Sequence, residues 1–220
     1  MAVAFFDFDK TLISVNSAHL WVRLQWKAGH LSKRELLSLI FGLLKYRLGF
    51  TNLEQDFRQA IYQLKGYAYE TLELEAEGFY HNHITHLLRP GALEALEKHR
   101  QSGDQIVILT TSPKPLAICA ARDLKISHCL STELEIDEAG KCTGNPIEPM
   151  CFGAGKVELA RQWLSLNGAT FSDSTFYTDS YTDLPMLEVV GSPVVVNPDV
   201  RLLKAAKVRC WPVVDWGRLC

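Results

Sequence analysis

Between Pro90 and Lys207 the chain alternates short apolar runs with helix-length stretches, and this alternation leaves few folds open. "PGALEALEKHRQSG" reads as a helix with Pro near its start and Gly at its end. "QIVIL" reads as a buried strand, followed by a helix from about Pro115 to Leu124. "STELEIDEAGKCTGNPIEP" reads as a β-hairpin around Ala139 and Gly140. Then follow "GKVELARQWLSLNG" as helix, "STFYT" as strand, "DLPMLEVVG" as helix, "SPVVV" as strand and "PDVRLLKAAK" as helix. Strands separated by helices build a parallel sheet, and right-handed crossovers put helices on both of its faces. Near the N-terminus, Val3–Phe6 is continuously apolar, as suits a central strand covered on both sides. The expected fold is therefore α/β, a doubly wound parallel sheet of Rossmann-like form.

The segment from Asn16 to Leu88 has a different texture. "SAHLWVRLQWKAG", "SKRELLSLIFGLLKYRLG", "NLEQDFRQAIYQLKG" and "YETLELEAEGFYHNHITHLL" all carry helical patterning. Ser32 with Glu35 forms a capping-box pattern, and Gly29, Gly49 and Gly66 stand where helices would stop. We expect a core made of residues 1–15 and 89–220, and an all-helical insertion at 16–88. The most apolar run, Leu36–Leu44, is far shorter than the roughly 18 residues of a spanning helix. It reads as the buried face of a soluble helix, with a surface that meets lipid-like substrates, a partner or membrane as the alternative.

Composition narrows the function classes. The chain has 220 residues, 47% hydrophobic and 22% charged, with a formal net charge of −2. That balance argues against a nucleic-acid binder held by a broad basic surface. None of the six cysteines forms a CxxC pair, so a zinc knuckle is not expected. Asp7 interrupts the N-terminus before a long apolar stretch, so no secretory leader is expected, and free thiols suit the cytoplasm. The expectation is a monomer or homodimer with no stable membrane insertion.

Ligands of open α/β sheets sit beyond the carboxyl ends of the strands. After "VAFF" come Asp7 and Asp9; after "IVIL" come Thr110, Thr111 and Ser112; after "STFYT" comes Asp179, with Asp183 four residues on. Lys156 opens a helix behind Gly153 and Gly155. Three or four acids would make an oxygen-rich site suited to Mg²⁺. A lysine and hydroxyls near a helix start suit a phosphate. Together they suggest phosphoryl transfer to an enzyme aspartate.

"DFDKT", "ILTTS", "GAGK" and "YTDSYTDLPML" resemble, in order, the four motifs of the haloacid dehalogenase-like hydrolase superfamily. The helical insertion resembles its C1-type cap, and the tail resembles the phosphoserine phosphatase-like branch, subfamily IB. The resemblance implies Asp7 as nucleophile and Asp9 as general acid and base. It implies Mg²⁺ held by Asp7, Asp179 and the Asp9 backbone carbonyl. Thr110 matches the phosphate-binding hydroxyl, with Thr111 and Ser112 as near equivalents. Lys156 matches the lysine that offsets charge on Asp7 and the phosphate. Asp183 matches an acid that orients Lys156 or water on the ion. Helix N-capping competes for Asp179 and more strongly for Asp183. The implied activity is a Mg²⁺-dependent phosphomonoesterase acting on a small phosphorylated metabolite. A phosphotransferase using the same intermediate, a silent phosphate-binding module and a dehalogenase are the alternatives. A dehalogenase would leave Asp9 and the fourth motif without use.

Phosphoserine phosphatases carry a glutamate for the substrate amine and an arginine for its carboxylate. Those positions fall on Asn16 and Ala60, so phosphoserine is expected to be a poor substrate unless Arg58 compensates. His19, Trp21 and Trp26 are candidates to line the cap pocket, with plain helix packing as the alternative. "HNHITH" reads as a solvated helix end rather than a zinc site, and Cys119 and Cys151 as buried or incidental thiols.

Overall fold

The computed structural model describes residues 2–29 and 53–217. In chain order its elements are β1 (Val3–Phe6), α1 (Ser17–Lys27), α2 (Leu53–Tyr62), α3 (Tyr69–Phe79), α4 (Pro90–Gln101), β2 (Gln105–Pro113) and α5 (Lys114–Asp123). There follow β3 (His128–Thr132), β4 (Leu134–Ile136), β5 (Cys142–Pro146), α6 (Ala154–Leu166), β6 (Ser174–Thr178), α7 (Leu184–Leu187), β7 (Ser192–Val196), α8 (Val200–Arg209) and β8 (Val213–Val214).

Six strands form one sheet in the order β3-β2-β1-β6-β7-β8, and every pair in it is parallel. β1 sits in the middle, which explains its lack of alternation. Ala4 and Phe6 enter a core shared with α3, α4 and α5, while Val3 and Phe5 enter a second core built with α6, α7 and α8. Phe5 and Phe6 are fully buried, each contributing about 2–3 kcal/mol of apolar burial. Phe6 stacks on Tyr177 with ring centroids 4.6 Å apart, and Trp216 tilts against both rings.

The helical segment differs from the expectation in detail. α1, α2 and α3 form where three of the four predicted helices lie. The fourth, which carries Ser32, Gly49 and Leu36–Leu44, falls outside the described residues. Gly29 and Gly66 end their helices with φ of 76° and 81°, a region in which a side chain is strained. The β4–β5 hairpin exists around Gly140, where the Asp137 carboxylate accepts the amides of Ala139 and Lys141. It docks on the helical segment: Cys142 donates its amide to Tyr67 and accepts that of Gly66. Ile61, Leu134, Cys142 and Met150 share a small core beneath it. The periodicity reading passed over β3 and β8. "DLPMLEVVG" yields one helical turn at Leu184–Leu187 rather than a full helix. The described cysteines are not bridged, and no described helix is long and apolar enough to cross a membrane.

Candidate active site

Register brings the acids together. Phe6 pairs with Ile108 on one side and Tyr177 on the other, so Asp7, Thr110 and Asp179 lie near the same end of three neighbouring strands, Asp7 one position before the other two. The Asp7 amide still donates to the Tyr177 carbonyl at 2.9 Å, which holds the backbone to the sheet edge. Asp7 (φ −69°, ψ 157°) and Asp9 (φ −63°, ψ 131°) remain extended, and the chain reverses at Lys10, where φ is 55°. Phe8 between them already belongs to the helical turn, so continuous strand geometry is not what places the two acids; Asp7 meets Lys156, while Asp9 meets Ser17 and Ser112. Buried Arg89 steadies the turn by donating to the Lys10 carbonyl at 3.1 Å and the Gly217 carbonyl at 2.5 Å.

The third element arrives through glycines. Gly153 precedes α6 at φ 53°, ψ −120°, a conformation for which side chains are ill suited. A Cβ on Gly155 would lie 1.9 Å from the Met150 carbonyl oxygen. This tight start sends Lys156 under the sheet edge, where it is 1% exposed. Its ammonium donates to Asp7 Oδ1 and Asp183 Oδ2, both at 2.8 Å. Thr178 donates to the same Asp183 oxygen at 2.7 Å.

Burial is the largest single influence on Asp7, Asp179 and Lys156. Burial raises the Asp7 carboxyl to about 7, although Lys156 beside it pulls the other way. Burial, reinforced by the Asp7 charge, pushes Asp179 well above the usual carboxylate range. Burial alone would lower Lys156, but Asp183 and Asp7 outweigh it and the net direction is up. If Asp7, Asp179 and Asp183 are all ionised, the one ammonium leaves two negative charges over. A hard dication with oxygen ligands fits that deficit. The second oxygen of Asp7 and the Asp179 carboxylate carry no side-chain hydrogen bond among the described residues, so they are the donors available to it. Among the described residues no three acidic, histidine or cysteine side chains form a ready metal-ligand group; Asp183 is engaged by Lys156 and Thr178, and Asp9 by Ser17 and Ser112.

The remaining candidates separate. Thr110 is 1% exposed and its Oγ1 accepts the Ser112 amide at 3.1 Å. Thr111 turns away, donating to the Cys151 carbonyl at 2.9 Å. The Ser112 hydroxyl donates to Asp9 Oδ2 at 3.3 Å. The capping role weighed for Asp183 is not what its side chain does: it makes no cap hydrogen bond to α7 and holds Lys156 instead. Asn16 caps α1 by accepting the His19 amide at 2.9 Å. Arg58 is tied to Glu54 at 2.8 Å and Glu148 at 2.5 Å, so its guanidinium links α2 to the loop before α6. His19 keeps an exposed edge, and partial desolvation of its ring together with the Lys10 charge lowers its pKa against the opposing pull of Asp9. Trp21 packs edge-on to Phe79 and lines a cleft of about 520 Å³ with Leu24, Tyr67 and His83; Trp26 is not part of that lining. Sequence reading missed Ser17, Arg89 and Thr178. Ser17 directly follows a good N-cap residue, a signal that could have exposed it.

A parallel α/β sheet with acids, hydroxyls and a buried lysine at its carboxyl edge defines a hydrolase of the haloacid dehalogenase type. The haloacid dehalogenase-like hydrolase model matches residues 4–188, and the chain belongs to that family. It is 31% identical over 219 residues to a phosphoserine phosphatase of Mycobacterium tuberculosis, covering 98% of this chain and 71% of that one. It is 29% identical over 218 residues to a histidinol-phosphatase of Neisseria meningitidis, covering 97% and 98%. A Bordetella pertussis protein of unknown function superposes with a TM-score of 0.87 at 27% identity over 98% of each chain.

Proposed function

We propose that the chain is a Mg²⁺-dependent phosphomonoester hydrolase that works through an aspartyl-phosphate on Asp7. The observation that carries this reading is the buried Lys156 ammonium, 2.8 Å from Asp7 and from Asp183, facing the edge where Asp9 and Thr110 also lie. A carboxylate attacks phosphorus only while ionised, and Lys156 lowers the cost of that charge. Asp7, Asp179 and the Asp9 carbonyl would hold Mg²⁺, which when bound supplies positive charge against the phosphoryl oxygens. Thr110 and the nearby backbone amides bind the transferring group. An Asp7 oxygen forms a bond to phosphorus as the ester P–O bond breaks, and Asp9 gives its proton to the departing alkoxide. In the second half, Asp9 takes a proton from water, which attacks phosphorus, releases inorganic phosphate and restores Asp7.

The substrate is a small organic phosphate. The names of the two relatives suggest phosphoserine and histidinol phosphate as first candidates. Phosphoserine is the weaker, because Asn16 is committed to capping α1 and Arg58 to two glutamates, which leaves neither as an ionic handle. The test is turnover of p-nitrophenyl phosphate and a phosphorylated-metabolite panel with Mg²⁺, ranked by kcat/KM. Absence of turnover across the panel with folded protein would favour a silent phosphate-binding module. Product transfer to added alcohols would favour a phosphotransferase.

A further inference from the structure

We propose that Ser17 is a positioning residue for the Asp9 carboxylate, holding it through the first amide of α1 and acting together with Ser112. The inference rests on the reading of Asp9 as proton donor. The first amides of a helix have no acceptor within it. In α1 the Asn16 side chain takes the His19 amide and the Asn16 carbonyl takes the Leu20 amide. The Ser17 amide goes elsewhere, to Asp9 Oδ1 at 2.8 Å. Ser17 is 3% exposed, so water does not compete for that bond. The other oxygen, Oδ2, accepts the Ser112 hydroxyl at 3.3 Å, and the two serine Oγ atoms lie 3.5 Å apart. Serines from α1 and β2, 95 residues apart, therefore close around one carboxylate.

The arrangement answers a geometric need. A proton donor has to stay within hydrogen-bond reach of one leaving-group atom. Asp9 precedes a left-handed residue, Lys10, and is only half-buried, so packing alone leaves its side chain other staggered positions. One donor on each oxygen removes that freedom. The first of them belongs to the helix that opens the cap segment, so the placement of Asp9 depends on where α1 starts.

The sequence position offers a clean test. Proline suits the first helical residue, because the amide it lacks has no helical partner. Asn16, at φ −90° and ψ 119°, already occupies the extended region that a residue before proline requires. Ser17→Pro thus deletes the amide donor and the hydroxyl while keeping the helix start. Ser17→Ala deletes the hydroxyl alone, and Ser17→Thr keeps both. The readout is kcat/KM on β-glycerol phosphate, whose alkoxide must be protonated as it leaves, against p-nitrophenyl phosphate, whose phenolate leaves without a proton. Since general acids contribute about 10²–10⁴-fold, Ser17→Pro should lower the alkyl-to-aryl ratio by roughly 10- to 100-fold. Ser17→Ala should lower it less, and Ser17→Thr should restore it. Circular dichroism and the unfolding midpoint check each variant. If Ser17→Pro does not fold, Ser112→Ala reads the second donor and should move the ratio in the same direction. Equal losses on both substrates, or an unmoved ratio, would overturn the proposal. A wild-type protein that turns over neither substrate would overturn this proposal together with the phosphatase reading.

Discussion

Lys156 keeps its charge in a site that excludes water because two carboxylates hold it, and each of them depends on it in return. Breaking a buried ion pair by removing one partner costs about 3–5 kcal/mol, since the remaining charge stays buried. Lys156→Met should therefore lose stability of that order in urea unfolding at neutral pH, along with turnover. Asp7→Asn differs. It removes one of the excess negative charges, so the cation-free variant should unfold at a higher temperature than wild type while turnover falls by several orders of magnitude. Near-full activity in Asp7→Asn would remove Asp7 as nucleophile. At this scale the sequence was informative where a residue type has few other uses. Asp7, Asp9 and Asp179 stand directly after apolar strands, and Lys156 opens a helix, where its charge is unfavourable to the dipole. Ser112 was read as a phosphate-binding candidate, but its bond to Asp9 was not, and Ser17 was passed over because serine at a helix start is already explained by local turn chemistry.

The elements place these residues through a few close approaches. Gly155 lets α6 start against Met150, and an added Cβ would meet backbone there, not a side chain able to move. Gly155→Ala should cost about 1–3 kcal/mol, as overpacking does, and lower kcat by displacing Lys156. Unfolding midpoints and steady-state kinetics on one preparation would check both. A fully active and equally stable variant would mean that this approach is not needed. β1 and the start of β2 were legible as continuously apolar runs, and β6 as a short β-branched and aromatic run between two helices. β3 was not, since "HCLST" mixes polar and apolar residues at the sheet edge, and β8 has two residues. α7 was overestimated because helical patterning in "DLPMLEVVG" does not show that the chain turns at Val190 to bring Gly191 against Ser172.

For the whole molecule, the excess negative charge beneath the sheet edge links stability to pH and to cations. Burial raises Asp7 from 3.8 to about 7, so the folded state holds this proton more tightly than the unfolded chain does. The sign follows by linkage: the stability contributed by the neutral carboxyl is full below about pH 4 and is lost as pH rises through about 7. Cation-free protein should accordingly lose stability across that window, and the midpoint shift on adding Mg²⁺ should grow from pH 5 to pH 8. Thermal melts with and without the ion would read this, and a shift independent of pH would count against it. Arg58, by contrast, makes exposed ion pairs, worth about 0–1 kcal/mol each. Arg58→Ala should change the midpoint little and leave the rank of phosphoserine in the substrate panel unaltered. The two-sided parallel fold was readable from the order of strands and helices alone. The docking of the β4–β5 hairpin on the helical segment was not, because it rests on amide pairings of Tyr67 and Gly66 with Cys142 that no pattern encodes.

The most direct measurement is an acid quench of the enzyme within its first turnovers of a radiolabelled phosphate ester, followed by peptide mapping. The account predicts label on the peptide that contains Asp7, appearing before free phosphate and released by hydroxylamine. Steady turnover with no covalent label, or with label on a different residue, would contradict it.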